Sequence, residues 1–241
     1  MAAADDLAKL ARLRMVLSNC ALKDVLAEIA PLANQVVSWI PVNTSGSAVC
    51  RYNAANGSRQ YEVRYQVGDL GNLVHELTHV SVNESYDLDF INYPNTMAQN
   101  VPDRIYDGLG RCTNEGLRQT KQMNHAMNAQ VGAMLKNINS WAVAANELSA
   151  SQKKQITTKL LYGMMNPQKE CDTVLNQILV WMYEWGYPMR GHMVRKPVVN
   201  ALYEELEKAA AKLYKQRAAG RVHRAMVEGA HARRRAMGYS A

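Results

Sequence analysis

The sequence has 241 residues, of which 48% are hydrophobic and 20% charged, and its formal net charge is +7. A chain of this length and composition can bury a substantial core, which excludes collagen, low-complexity disorder and disulfide-stapled miniproteins. No apolar stretch approaches the roughly 20 residues that a membrane-spanning helix needs, so we expect no membrane span. The positive charge is concentrated in residues 215–241, which hold seven Lys or Arg and one Glu. This basic tail contributes +6 of the +7, so the rest of the chain is nearly neutral.

The predicted secondary structure changes from helix to strand near residue 40. Leucines at helical spacing, such as Leu10, Leu13 and Leu17, predict an N-terminal helical segment over 1–40. Ala48–Tyr52 is predicted to form a short strand. Tyr61–Val67 alternates apolar and polar residues, which predicts a half-buried strand.

The remainder of the chain is mostly helical in pattern. Asp69 is a good N-cap for a helix that extends to about Val82, and residues 83–110 are expected to form a long ordered loop. Further helices are predicted over Thr113–Leu148, Ser149–Met165, Cys171–Trp185 and Val198–Gln216. The expected fold class is therefore α+β, helix-rich with one small, mostly antiparallel sheet, in a domain over 41–214 between the helical segment and the basic tail at 215–241.

An H-E-x-x-H motif, His75-Glu76-Leu77-Thr78-His79, lies in the helix predicted after the strand. Residues at i and i+4 share one helical face, so both imidazoles can bind a single zinc ion. Glu76 would lie beside the metal and can take a proton from a zinc-bound water. This pattern predicts a Zn²⁺ site with His75 and His79 as ligands and Glu76 as the catalytic base.

The motif and a later segment together resemble a known family. The chain resembles the gluzincin zinc metallopeptidases, most closely the peptidase-MA-like group, in two stretches. The first is Leu73-Val-His75-Glu76-Leu-Thr-His79-Val80 and the second is Asn114-Glu115-Gly116-Leu117. The resemblance covers about residues 60–120. It implies a zincin-like fold, zinc-dependent hydrolysis of a protein or peptide substrate, and Glu115 as the third metal ligand. A metzincin is excluded, because position 82 is Val and position 85 is Ser.

Further acids compete with Glu115 for the third ligand position. Asp103, Asp89 and Asp87 lie in the predicted loop, and Glu84 follows His79 by five residues. A peptidase of this kind also needs a group that stabilises the oxyanion of the tetrahedral intermediate. The sequence offers several candidates without ranking them: His192, Tyr187, Tyr106, Tyr93, His125 and Arg118.

The leading functional hypothesis is a zinc metalloendopeptidase whose substrate strand adds to the edge of the sheet at Tyr61–Val67. The compact size and the lack of a secretory signal or propeptide favour a bacterial toxin or effector delivered by a dedicated secretion route, which would add an inhibitor or immunity protein as a partner. A housekeeping peptidase fits the same residues. Two rival hypotheses come from different functional classes: a non-catalytic zinc-binding interaction protein, and a nucleic-acid-associated protein that uses the basic tail. Nucleic acid is the weaker prediction, because aromatic residues are not interleaved with the tail's arginines. Cys20, Cys50, Cys112 and Cys171 form no C-x-x-C pair, so they do not form a zinc-ribbon pattern and leave the redox compartment open.

Overall fold

A computed structural model describes residues 2–17, 21–44, 46–53, 58–85, 114–165, 167–186, 198–199, 201–213 and 215. Helices α1 (Ala2–Val16) and α2 (Ala21–Ile29) come first and lead into a 3-10 helix (Ala30–Gln35). Strands β1 (Val36–Pro41), β2 (Ser47–Asn53) and β3 (Ser58–Tyr65) follow. The chain then forms helices α3 (Leu70–Ser85), α4 (Asn114–Ala144), α5 (Ala150–Met165), α6 (Pro167–Glu184) and α7 (residues 201–213). The fold is α+β and helix-rich with one small sheet, which confirms the predicted class.

The three strands form one mixed sheet in the order β1-β3-β2, with one parallel and one antiparallel pair, whereas the sequence suggested a mostly antiparallel sheet. β1 runs parallel to β3, with Trp39 opposite Val63, and β2 runs antiparallel to β3, with Ala48 opposite Val63. The predicted alternation in β3 is confirmed, because Tyr61, Val63 and Tyr65 are buried while Arg64 is exposed.

Two sequence predictions about the sheet were wrong. Helix was expected up to residue 40, but residues 36–41 form β1, which gains its partner only through long-range pairing with β3. β3 was expected to be an edge strand, but it lies between β1 and β2 and has no free edge for a substrate strand.

Helices α3 and α6 form the centre of the molecule and pack against each other. Residues 70–78 of α3 and 171–180 of α6 are buried throughout, so neither helix has the amphipathic pattern of a surface helix. Around them lie apolar side chains of α2, β3, α4 and α5, and the buried core includes Leu22, Leu26, Ile29, Tyr61, Val63, Leu73, Leu77, Leu135, Ile138, Leu160, Leu175 and Ile178.

The turn between β3 and α3 fixes where α3 begins. Gly68 has a φ of +84°, a conformation that favours glycine. Asp69 Oδ1 then accepts a hydrogen bond from the backbone N–H of Asn72 at 2.8 Å, so the predicted N-cap is confirmed. Asn72 Oδ1 in turn accepts from the backbone N–H of Gln66 at 2.8 Å. These local contacts set the register of the helix that carries the H-E-x-x-H motif.

Helix α1 is joined to this same turn by a buried acid. Asp6 Oδ2 accepts hydrogen bonds from the backbone N–H of Gly68 at 2.9 Å and from the hydroxyl of Tyr65 at 3.3 Å. The leucines of α1 and α2 belong to the same core as α3 and α6. The predicted long loop beyond residue 85 and the basic tail beyond residue 215 lie outside the described residues.

Candidate metal centre

The two histidines of the motif meet on one face of α3. Their Nε2 atoms are 3.2 Å apart, and the rings stand edge to face with centroids 4.9 Å apart and planes at 73°. This is the geometry expected for residues four positions apart on a helix. The two side chains therefore lie together on one helical face, as the sequence predicted, and their role as metal ligands stays a prediction.

A third donor comes from Glu170, in the first turn of α6. Glu170 Oε2 lies 3.2 Å from His75 Nε2 and 3.2 Å from His79 Nε2. The three atoms form a nearly equilateral triangle built from two central helices. Among the described residues, this is the group of His and acidic side chains whose ligand atoms converge closely enough to hold a metal ion.

The triangle has the dimensions of one face of a metal coordination shell. In a tetrahedral zinc site with ligand bonds of about 2.0–2.1 Å, neighbouring ligand atoms are about 3.3–3.4 Å apart. The observed separations of 3.2 Å are close to this value. Two imidazoles and one carboxylate also match a catalytic zinc donor set, in which the fourth position is left for water or substrate. The residues therefore fit a bound metal ion.

Burial and charge shift the pKa of each side chain in the cluster. Burial lowers the pKa of His75 to about 4, so its imidazole is neutral at pH 7 and can donate a lone pair to a metal. Burial acts to lower the pKa of His79 as well, but the nearby Glu170 carboxylate outweighs it and raises that pKa. Burial alone would raise the pKa of Glu170, but the two histidines outweigh that effect and lower it. Glu170 is thus an ionised carboxylate.

Glu76 is a second buried acid beside the cluster. Its side chain is 2% exposed, and its Oε2 has no hydrogen-bond partner among the described residues. Burial raises the pKa of this carboxyl to about 7. Gly46, just before β2, leaves room for it, because a Cβ at position 46 would lie 2.6 Å from Glu76 Oε1. A buried carboxyl whose pKa is near neutrality is suited to accept and release a proton.

Helix α5 places two further polar side chains near the cluster. Tyr162 donates a hydrogen bond from its hydroxyl to Glu170 Oε1 at 3.2 Å. Lys159, one turn earlier, has its Nζ 5.5 Å from the centroid of the Tyr162 ring. Burial lowers the pKa of Lys159, and its charge acts on Glu76 and Glu170. Lys159 therefore adds a positive charge close enough to influence the acids of the site.

The structure brings together three of the four predicted site residues. His75, Glu76 and His79 are adjacent in the site, as predicted. Glu115 lies in the first turn of α4, but its side chain is outside the described set. The same holds for Glu84, a competing candidate for the third ligand near the end of α3.

The remaining candidate residues also lie outside the described side chains, namely the loop acids Asp87, Asp89 and Asp103 and the oxyanion candidates His192, Tyr187, Tyr106, Tyr93, His125 and Arg118. Sequence reasoning missed Glu170, Tyr162 and Lys159. A signal for Glu170 was present, because Pro167 followed by an acid in the first turn is typical of a helix start. The helix was instead predicted to begin at Cys171, which left Glu170 outside it.

Comparison with known proteins adds no assignment to this geometry. No protein-family model, curated protein or solved structure matches the chain. In the described part of the chain, no helix combines the length and the apolar character required to cross a bilayer.

Proposed function

We propose that the chain is a zinc-dependent metallopeptidase of the gluzincin type, in which His75, His79 and Glu170 hold the metal and Glu76 is the general base. One observation carries this proposal: three donor atoms lie 3.2 Å from one another beside a buried carboxyl whose Oε2 has no partner among the described residues. Glu170 takes the role that the resemblance assigns to Glu115.

The chemistry follows from the donor set and its neighbour. A zinc ion held by His75, His79 and Glu170 would supply Lewis-acid chemistry, which activates water near neutral pH and polarises a carbonyl. Glu76 accepts the proton of the attacking water and returns it to the amine that leaves when the C–N bond breaks. Its buried position, which raises the pKa of the carboxyl above that of an exposed glutamate, makes it a stronger base for this transfer.

The sheet offers a place for an extended substrate. Gly46, the residue directly before β2, lies beside the Glu76 carboxyl. Among the described strands, β2 pairs only with β3. Its other edge is therefore one of the two positions in the described sheet, with the outer edge of β1, where a peptide can add as a further strand, and we propose this one because it lies on the Glu76 side. This edge takes the place of β3, which the sequence had suggested for the substrate. The proposed substrate is a protein or peptide chain in extended conformation.

Two measurements on the purified protein test the proposal. Elemental analysis should find one zinc per chain, and a peptide library analysed by mass spectrometry should be cleaved. Glu76→Gln should retain zinc but lose hydrolysis by about 10²–10⁴-fold, the usual contribution of a general base. Glu205→Gln provides the matched control, because Glu205 is a partly exposed acid on α7 that pairs with Lys208, and it should leave both properties unchanged.

The outcomes separate the proposal from its rivals. Stoichiometric zinc without any cleavage would indicate a non-catalytic zinc-binding protein. A protein without metal would contradict the metal centre itself. Full hydrolysis by Glu76→Gln would contradict the assigned base.

A further inference from the structure

The two oxygens of Glu170 have different partners. Oε2 faces His75 Nε2 and His79 Nε2 at 3.2 Å each, and the hydroxyl of Thr173 lies 3.3 Å from the same oxygen. Oε1 instead accepts the hydrogen bond from Tyr162 at 3.2 Å. Thr173 makes a shorter bond to the backbone carbonyl of Glu170, at 2.9 Å, so its hydroxyl is mainly engaged with the helix.

This division matters because a carboxylate can bind a metal through one oxygen or through both. Tyr162 is 47% exposed, so packing alone does not hold its hydroxyl in place. The ring lies below the Lys159 ammonium, and its hydroxyl reaches the ligand carboxylate from a neighbouring helix. The bond from Tyr162 keeps Oε1 turned away from the point on which Oε2 and the two imidazoles converge.

We propose that Tyr162 is a positioning residue that fixes Glu170 as a ligand through Oε2 alone. The hydroxyl of Tyr162 restrains the rotation of the carboxylate before the metal arrives, so less ordering remains to be done on binding. It also keeps a coordination position open for water and substrate. Partners of this kind, which bind a ligand rather than the metal, typically contribute about 10–100-fold to metal affinity.

The inference rests on the proposed metal centre, and zinc itself is the probe that tests it. Tyr162→Phe removes only the hydroxyl from a half-exposed ring, so the zinc-free protein should unfold at the parent's temperature. The dissociation constant for zinc, measured by competition with a chromophoric chelator, should rise about 10–100-fold. Tyr183→Phe, on α6, is the matched control and should bind zinc as tightly as the parent.

A spectroscopic measurement separates positioning from a general loss of structure. With Co²⁺ in place of zinc, the visible absorption weakens when a fifth ligand atom joins four. Tyr162→Phe should therefore absorb less strongly per bound Co²⁺, because Oε1 becomes free to bind. Tyr183→Phe should keep the parent's spectrum.

The two proposals fail in different ways. A parent protein that binds neither zinc nor Co²⁺ would overturn the metal centre and this inference with it. A parent that binds zinc, together with a Tyr162→Phe variant of equal affinity and identical Co²⁺ spectrum, would overturn the role of Tyr162 alone.

Discussion

Asn176 on α6 donates a hydrogen bond from Nδ2 to the hydroxyl of Thr78 on α3, 3.2 Å away. Both side chains are almost completely buried, at 1% and 0% exposure. Thr78 stands between the two histidines in sequence, and Asn176 is six residues beyond Glu170. The contact therefore joins the two helices that carry the cluster, close to where their ligands meet.

Breaking this contact should destabilise the protein and loosen the cluster. Thr78→Val leaves the Asn176 amide buried without its acceptor, which should cost about 1–3 kcal/mol of unfolding free energy. Asn176→Leu should cost less, because the Thr78 hydroxyl keeps its bond to the backbone carbonyl of Val74 at 2.7 Å. Urea unfolding of the two single variants and of the double variant measures both effects. If the two side chains interact directly, the double variant should lose less unfolding free energy than the two single variants lose together. A loss equal to that sum would contradict a direct coupling.

The identity of the third ligand can be decided by two substitutions. Glu170→Gln keeps the shape of the side chain but removes its charge, so zinc affinity and hydrolysis should fall together. Glu115→Gln should retain zinc if Glu170 is the ligand. Zinc content after dialysis against a weak chelator provides the measurement. If Glu115→Gln loses zinc and Glu170→Gln keeps it, the third ligand is Glu115, as the gluzincin resemblance implies.

The half of the site that could be predicted from sequence depends on local geometry. His75 and His79 share a face because four residues make about one helical turn. Asp69 caps that helix by accepting a hydrogen bond from the backbone N–H three residues later. Both relationships are present before any tertiary structure forms. The helix over the motif and the shared face of its two histidines could be predicted for that reason.

The other half depends on packing between distant segments. Glu170 follows His79 by 91 positions in the sequence, and α6 brings it back to α3 only in the folded chain. Because α6 is buried on all sides, its pattern has no polar face that would mark an inward acid as unusual. Tyr162 is exposed enough to resemble an ordinary surface residue. β1 was missed for a related reason, since its residues pair with residues of β3 that lie 24 or 25 positions further along the chain.

Two glycines in helices should respond oppositely to alanine. A Cβ at Gly71 would lie 2.6 Å from Trp181 Nε1, and this indole donates to Asp69 Oδ1 at 3.2 Å. Gly71→Ala should displace the ring and destabilise the protein by about 1–3 kcal/mol. A methyl group at Gly132 in α4 would meet no atom within 4 Å among the described residues, so Gly132→Ala should stabilise by about 0.5–1 kcal/mol. Chemical denaturation measures the change in unfolding free energy of each variant relative to the parent. A Gly71→Ala protein as stable as the parent would contradict the close approach of Trp181.

The acid that joins α1 to the β3–α3 turn makes the stability of the protein depend on pH. Asp6 is 2% exposed and accepts hydrogen bonds from Gly68, Tyr65 and Lys9. Burial acts to raise its pKa, but these bonds and the charge of Lys9 outweigh it and hold the pKa below its ordinary value of 3.8. Because the carboxylate is favoured in the folded state, its contribution to stability is present above pH 3.8 and is lost as the pH falls through the folded pKa.

Asp6→Asn should therefore be less stable than the parent by about 1–3 kcal/mol at pH 7, where it loses charge-assisted hydrogen bonds. This difference in unfolding free energy between the parent and Asp6→Asn should become steadily smaller once the pH falls below 3.8. Both proteins carry the same histidines and acids elsewhere, so the difference between their urea midpoints isolates Asp6. Lys9→Met is the control for the exposed partner, since Lys9 is 54% exposed and a pair of this kind contributes about 1 kcal/mol or less. A gap between parent and Asp6→Asn that stays constant from about pH 7 to about pH 2 would show that the Asp6 carboxylate does not stabilise the attachment of α1.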